Sequence, residues 1–356
     1  ALATGRSGEA MRSADEALLV TLSSLSDGAV ATLERAAVCG VRSWKAMIDP
    51  AGSVGQNDWR RMRQMGLLIP SRSSKLKGQD EYEFGSTLMQ EVLYRHTDPK
   101  WRKRQHAAIA KWLVASARGG ADGLIRHHAA EGEDWLMASE YALKCARASL
   151  RSCSAEDADP LYLEGLSYAK RATGPRADAA LRECYIAGAA GASLGGDVAA
   201  ADRWLADAAA DERAMAEPRF RARLALVTAE VFEARDDLEA ALKALAGASF
   251  LADGIVLVEV EARQAMLLAL HGQFNEALES ARLFLDDESA QDKRRPLSEE
   301  DGRRWDRALG TVHAAVGHAL SRTGRASEAL THYEQSHALW AKTGYLVGQS
   351  MATLNL

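Results

Sequence analysis

The sequence Gly191-Ala192-Ser193-Leu194-Gly195 sets a serine between glycines at the spacing of a serine-hydrolase nucleophile elbow. That elbow lifts a hydroxyl off a sharp turn between a buried strand and a helix. Here an alanine-rich helical run precedes Ser193, so the match reads as chance composition. His127-His128 with Glu131 suggests metal ligation, but adjacent helical residues project roughly 100° apart and no third ligand has the spacing of a known site. The pair reads as structural or exposed. His106, with Ala110 and Leu113 at i+4 and i+7, reads as a half-buried packing position. The 4 cysteines, Cys39, Cys145, Cys153 and Cys184, form no CxxC pair and have no histidine at metal spacing. They read as buried free thiols in a reducing compartment. Gly5-Arg6-Ser7-Gly8 lacks the spacing and the lysine of a phosphate loop. We therefore expect neither a catalytic constellation nor a metal or cofactor site, and predict that the chain is not an enzyme.

The elements that hold these residues are announced by a recurring pattern. Gly324, Ala329 and Tyr333, with Gly317 upstream, recur as Gly195, Ala200 and Trp204, with Gly188 upstream. A weaker copy keeps Gly272 and Ala277, another keeps Ala240 after Asp236-Asp237, and a copy without glycine has Ala158 and Tyr162. The anchor alanines are 42, 40, 37 and 52 residues apart, the periodicity of stacked helix pairs. Glycine ends the first helix because it enters left-handed backbone without a steric penalty. Alanine admits close helix approach, and the aromatic four residues on shares its face. The expected fold is all-α: a winged-helix domain with a short β-hairpin, then a tetratricopeptide-like solenoid. Such an array offers a curved binding surface and no catalytic pocket by default.

Composition agrees. The 356 residues are 47% hydrophobic with only 7 prolines, which favours helix and exceeds one ordinary core. A formal charge of −5 argues against a nucleic-acid binder as a whole. No apolar stretch is long enough to span a bilayer, and Ala1–Ala10 lacks the apolar centre of a signal peptide. We expect a cytoplasmic protein without membrane attachment. The absent initiator methionine and the helix that Gly348–Leu356 breaks off in mid-repeat read as boundaries within a longer protein.

Along the chain, helices are predicted over about 14–25 and from the cap Ser26 to about Cys39, stopped by Gly40. A third begins at the cap Asp58 and runs to Met65, closed by Gly66. Leu67-Leu68-Ile69 and Tyr82-Glu83-Phe84 then alternate like the strands of a hairpin. Three helices and a hairpin give the order of a winged helix, over residues 1–98 with an N-terminal linker. Residues 99–175 read as connecting helices and degenerate first repeats, opened by Asp98-Pro99, a cap with proline in the first turn. Residues 176–356 read as the superhelix. The charged segment 286–301, with Pro296, lengthens one repeat and is either a mobile loop or a functional insertion.

The stretches Glu81-Tyr82-Glu83-Phe84, Leu88-Met89-Gln90-Glu91-Val92-Leu93-Tyr94 and Arg104-Gln105-His106-Ala107-Ala108-Ile109-Ala110-Lys111-Trp112-Leu113 resemble the link between winged helix and helical repeats in large bacterial signalling ATPases. These are the STAND and AAA-type regulators found beside adenylate cyclase, serine/threonine kinase or LuxR-type output domains. Leu25-Ser26-Asp27-Gly28-Ala29-Val30 and Ala36-Ala37-Val38-Cys39-Gly40 resemble the family's winged-helix opening. His128-x3-Gly132 leading to Ala138 and Tyr141 resembles the start of its repeats. The resemblance implies a nucleotide-binding domain, with its ATP or ADP, before residue 1. It implies that this chain is a regulatory and sensing arm that binds a protein, peptide or small ligand.

Two surfaces are candidates for contact. Arg60, Arg61 and Arg63 on the third helix, extended by Lys75 and Lys77 in the wing and by Lys100, Arg102, Lys103 and Arg104, form a basic patch flanked by Asp58, Asp80, Glu81 and Glu83. It contacts DNA, packs against the nucleotide-binding domain that the resemblance implies, or is a solvated face. In the repeats, Arg219, Arg221 and Arg223 on one first helix and Arg304, Trp305, Arg307 and His313 on another would line the concave groove. Tryptophan among arginines is hot-spot composition, or a core tryptophan with solvated arginines.

Overall fold

The computed structural model describes residues 20–117, 119–152, 154–286, 298–345 and 348–349. Half of the predicted first helix (14–19), Cys153, most of the 286–301 insertion, Gly5–Gly8 and most of the C-terminal segment lie outside them. The chain is mostly helical. It divides into two compact units, one comprising residues up to Arg147 with Glu164–Ala177, the other Ala148–Leu163 with Asp178 onward.

In the first unit, α1 (Asp27–Cys39) starts at Ser26, whose hydroxyl accepts from Ala29 N at 3.2 Å. It stops at Gly40, with φ at 104°. After β1 (Arg42–Trp44) come α2 (Lys45–Ile48), α3 (Gln56–Gln64), β2 (Leu68–Pro70) and β3 (Glu81–Phe84). Gly55, not Asp58, is the N-cap of α3; Asp58 sits in the first turn, where it accepts the Ser26 hydroxyl at 2.6 Å. Strands β2 and β3 form the expected antiparallel hairpin, Leu68 opposite Phe84. The sequence reading missed β1, which pairs with the other edge of β3, so the sheet order is β1-β3-β2. At three residues β1 is too short for its alternation to stand out. Trp44, Trp59, Leu68 and Phe84 join Leu33 and Ala36 of α1 in one core. That core continues into α4 (Thr87–His96), α5 (Pro99–Ser116) and α6 (Asp122–Glu131) through Val92, Leu93, Ile109, Leu113 and Ile125. As expected, the Asp98 side chain caps α5, accepting from Trp101 N at 2.7 Å, with Pro99 in the first turn.

The helices that follow are α7 (Trp135–Arg151), α8 (Ala155–Arg171), α9 (Pro175–Leu194), α10 (Val198–Ala210), α11 (Glu212–Met215), α12 (Pro218–Glu233), α13 (Leu238–Leu245), α14 (Gly254–Leu270), α15 (Phe274–Asp286), α16 (Glu299–Arg322) and α17 (Ala326–Thr343). In the second unit each pair packs on the next: α12 against α13 and α14, α14 against α15 and α16, α16 against α17. No helix among the described residues is long and apolar enough to cross a membrane.

The turns inside the pairs share one device. Gly196, Asp236, Gly272 and Gly324 each take positive φ, between 60° and 85°. The next residue in each case donates its N–H back to a carbonyl five residues earlier, as in Asp197 to Ala192 and Arg325 to Leu320. The same turn occurs in the first unit at Glu133, with φ at 56°. Five residues after each left-handed residue lies a buried alanine: Ala138, Ala201, Ala241, Ala277 and Ala329. Three positions of the sequence pattern therefore shift by one. The turn glycine is Gly196 rather than Gly195, and the fully buried alanines are Ala201 and Ala241. Ala200 and Ala240 instead give their N–H groups to the capping carboxylates of Asp197 and Asp237.

The upstream glycines are sites of direct contact. A Cβ on Gly188 would lie 2.5 Å from the Trp204 ring, one on Gly317 2.8 Å from Tyr333, one on Gly310 2.7 Å from Trp340 and one on Gly191 2.9 Å from Tyr162. These aromatics are nearly fully buried, and each ring lies where a side chain would otherwise be. Gly317→Ala is expected to destabilise the protein by about 1–3 kcal/mol through overpacking. Gly302→Ala, in a helix and with open space at its Cβ, is expected to stabilise by up to about 1 kcal/mol through helix propensity. Urea unfolding of the two variants beside the parent checks both the size and the opposite signs.

Candidate functional site

In the second unit, half-buried ion pairs join successive helices. Arg223 of α12 meets Glu183 of α9 at 2.9 Å, and Arg235 meets Asp202 of α10. Arg263 of α14 meets Glu230 and Glu233 of α12 at 2.7 and 2.9 Å, and Arg304 of α16 meets Glu259 of α14 through two nitrogens at 2.7 and 2.5 Å. Lys342 of α17, an exposed cation, meets Asp306 at 2.7 Å. Each cation is held by the neighbouring helix, and the fork-to-fork geometry of Arg304 fixes register as well as charge.

These pairs locate the predicted groove residues. Arg223 and Arg304 are engaged in the ladder. Arg219 is exposed, 3.8 Å from Asp253, and Arg221 is half-buried, so the arginines at 219, 221 and 223 do not share one face. Trp305 rests on the apolar cluster, its ring 6.0 Å from Phe284. Arg307 is exposed and lies over the Tyr345 ring at 4.9 Å. His313 Nδ1 faces His332 Nδ1 of α17 at 3.0 Å.

Sequence reasoning missed a cleft of about 430 Å³ between α14 and α15. Glu261, Glu276 and Glu279 supply negative charge, while Leu268, Leu283 and Phe284 supply apolar surface. Leu283 is 65% exposed, and Phe250, next to the lining residue Ser249, is 92% exposed. The arrangement suits a cationic group on an aliphatic stem: carboxylates hold the head and leucines cover the methylenes. Its residues come from two helices and a turn, a grouping that no single-helix periodicity displays.

In the first unit, Arg60, Arg61 and Arg63 are exposed on α3, and Arg61 and Arg63 have no ion-pair partner among the described residues. Arg60 reaches Asn57 at 3.2 Å. On α5, Lys100 and Arg104 are exposed. Lys103 pairs with Glu133, and Arg102 donates to the Tyr94 carbonyl at 2.7 Å while covering the Tyr94 ring. Three of the flanking acids are occupied: Asp58 accepts the Ser26 hydroxyl, Glu81 is buried, accepting from Lys75 N at 2.7 Å and facing Arg42, and Glu83 meets Arg42 at 3.0 Å.

His106 and the histidine pair need correction. His106 is 2% exposed rather than half-buried, and its Nδ1 lies 2.8 Å from His128 Nδ1, so the third imidazole missing from the α6 sequence comes from α5. Ser193 lies in the last turns of α9, where its carbonyl accepts from Gly196 N, with no strand before it. No disulfide joins Cys39, Cys145 and Cys184, and burial pushes the thiols of Cys39 and Cys145 up, which suppresses their nucleophilic form.

No protein-family model matches the chain, and no curated protein matches it. The chain is similar to a solved structure, a Signal Transduction ATPase with Numerous Domains (STAND) protein with a tetratricopeptide repeat sensor from Pyrococcus horikoshii. The identity is 12% and the TM-score 0.40, over 93% of this chain and 53% of that one. The chain thus spans about half the length of that protein.

Burial beside His332 pulls the His313 imidazole down to about 4, and burial also lowers His332 against the pull of Glu328. The unfolded chain therefore binds these protons more readily. Their contribution to stability is complete above about pH 6.5 and falls as pH drops toward 4. His313→Gln is expected to flatten the fall in urea midpoint between about pH 7 and pH 5; an equally steep fall in the variant removes His313 as its source.

Proposed function

We propose that this chain is a non-catalytic recognition and sensing module, the regulatory arm of a larger signalling ATPase. A nucleotide-binding domain preceding it would hold ATP or ADP. The observation that carries the reading is the helix-pair array, closed by glycine–aromatic contacts and an inter-helix ion-pair ladder, with an acidic, apolar-lined cleft between α14 and α15. Helix pairs of this kind leave their outward side chains free to be varied for binding while the turns and contacts hold the frame. The sheet order and the run α1, β1, α2, α3, β2, β3 support a winged helix in the first unit. Bound ligand would favour one placement of that domain against the nucleotide-binding domain, which requires unequal affinity for the two placements.

The cleft favours a protein or peptide partner presenting lysine or arginine beside an apolar residue. Binding of arrayed peptides to the purified chain tests this. Lysine/arginine–leucine peptides are expected to bind, and Glu276→Lys with Glu279→Lys is expected to weaken them about tenfold or more, since like charges then face each other. Binding unchanged by the double reversal removes the cleft as the recognition site.

A second reading, DNA contact through α3, is favoured by Arg61 and Arg63, which are exposed and have no ion-pair partner among the described residues. Gel-shift titration with random duplex at low and high salt is expected to show weak binding. Tight binding that falls steeply with salt and is lost in Arg61→Ala/Arg63→Ala would establish the DNA reading instead.

A further inference from the structure

We propose that His106, His127 and His128 form a binding site for a divalent transition-metal ion of the zinc class, with a coordination position open to solvent. His106 comes from α5 and the other two from α6, and their ligand nitrogens all lie within 4.8 Å of one another. The ring centroids are 5.0 Å apart for His106 and His128, 5.1 Å for His127 and His128, and 5.8 Å for His106 and His127. An α-helix does send adjacent side chains in different directions. Here His128 points inward and is buried while His127 stays exposed at the rim, and His106 stands beside both.

The protonation state suits a ligand. Burial, with His127 and Arg102 nearby, pulls His106 down to about 4, and burial beside His106 and His127 pulls His128 down to about 3. Both imidazoles are thus neutral at pH 7, the form that offers a lone pair. Without an ion, one Nδ1 must carry a hydrogen and donate it to the other across the 2.8 Å gap. With an ion, both Nδ1 lone pairs turn to the metal and each ring keeps its one hydrogen on Nε2, so no net proton is lost.

Tyr94 supplies the outer partner that this tautomer requires. Its hydroxyl lies 3.2 Å from His106 Nε2, placed to accept from the N–H that the metal-bound tautomer puts there. A hydrogen bond on the far nitrogen orients and strengthens a metal-bound imidazole. Two nitrogens at about 2.0–2.1 Å from a tetrahedral ion stand roughly 3.3 Å apart, so the His106–His128 gap has to widen by about half an ångström. Exposed His127 provides the third nitrogen and an entry path, and water completes the shell. Arg102 opposes the ion's charge, but its guanidinium is turned onto the Tyr94 ring and carbonyl.

The test uses the whole chain after chelator treatment and dialysis. Zinc chloride titration by calorimetry is expected to give one site per chain. Cobalt chloride is expected to give the intense visible bands of a four-coordinate ion, bleached by added zinc. His127→Ala removes an exposed ligand without touching the core and is expected to weaken zinc by about tenfold or more. Zinc is expected to raise the parent's melting temperature by more than the variant's. His106→Gln, where it folds, is expected to lose the cobalt bands. Absence of zinc binding, a cobalt spectrum like that of the hydrated ion, or equal zinc affinity in parent and His127→Ala would overturn the site and leave the three histidines as a hydrogen-bonded cluster.

Discussion

Close approach between helices, with a glycine on one and an aromatic ring on the other, is the constraint on which the second unit rests. Gly188 receives Trp204, Gly191 receives Tyr162, Gly317 receives Tyr333 and Gly310 receives Trp340, each where a methyl group would collide with the ring. The ring fills the space that would otherwise be a void, which is why the aromatics are almost fully buried while the helices they join are rich in alanine. Polar ends are absorbed as well: Trp204 Nε1 donates to Asp159 at 2.9 Å, and Trp340 Nε1 to the Arg307 carbonyl at 3.1 Å. Contact and hydrogen bond together fix where each helix sits along its neighbour.

The turns make that contact repeatable. A left-handed residue, a capping position and a buried alanine five residues on recur at Glu133, Gly196, Asp236, Gly272 and Gly324. Three of these five are glycine. Asp236 and Glu133 occupy the same backbone region at some steric penalty, which the shared hydrogen-bond pattern holds in place. Between pairs, arginine–carboxylate bridges add orientation more than stability, since half-exposed pairs contribute about 1 kcal/mol or less. Exposed side chains remain at the α14–α15 cleft, Leu283 among them, and on the basic face of α3.

Much of this was legible in the residues. The glycine–alanine–aromatic spacing located the pairs, and Ser26, Gly40 and Asp98-Pro99 located helix ends, because both signals act through backbone conformation within a few residues. The errors are also local. Gly195 was read as the turn when Gly196 is, since two adjacent glycines give the periodicity no way to choose between them. Strand β1 escaped because only its pairing with β3 marks three residues as a strand. Which of the arginines at 219, 221 and 223 turns to a neighbouring helix was not legible: Arg223 meets Glu183 on α9.

The amino-acid order alone determined that the chain builds helix pairs and marked several of their ends, because capping, left-handed turns and side-chain periodicity are properties of neighbouring residues. Only the tertiary structure decided which side chains meet. It brought His106 to His128 across 22 residues, shared Arg304 with Glu259 across 45, and opened an acidic cleft between α14 and α15. Such meetings depend on the angle and register at which helices pack. Those follow from the summed fit of many distant surfaces, which no local pattern encodes.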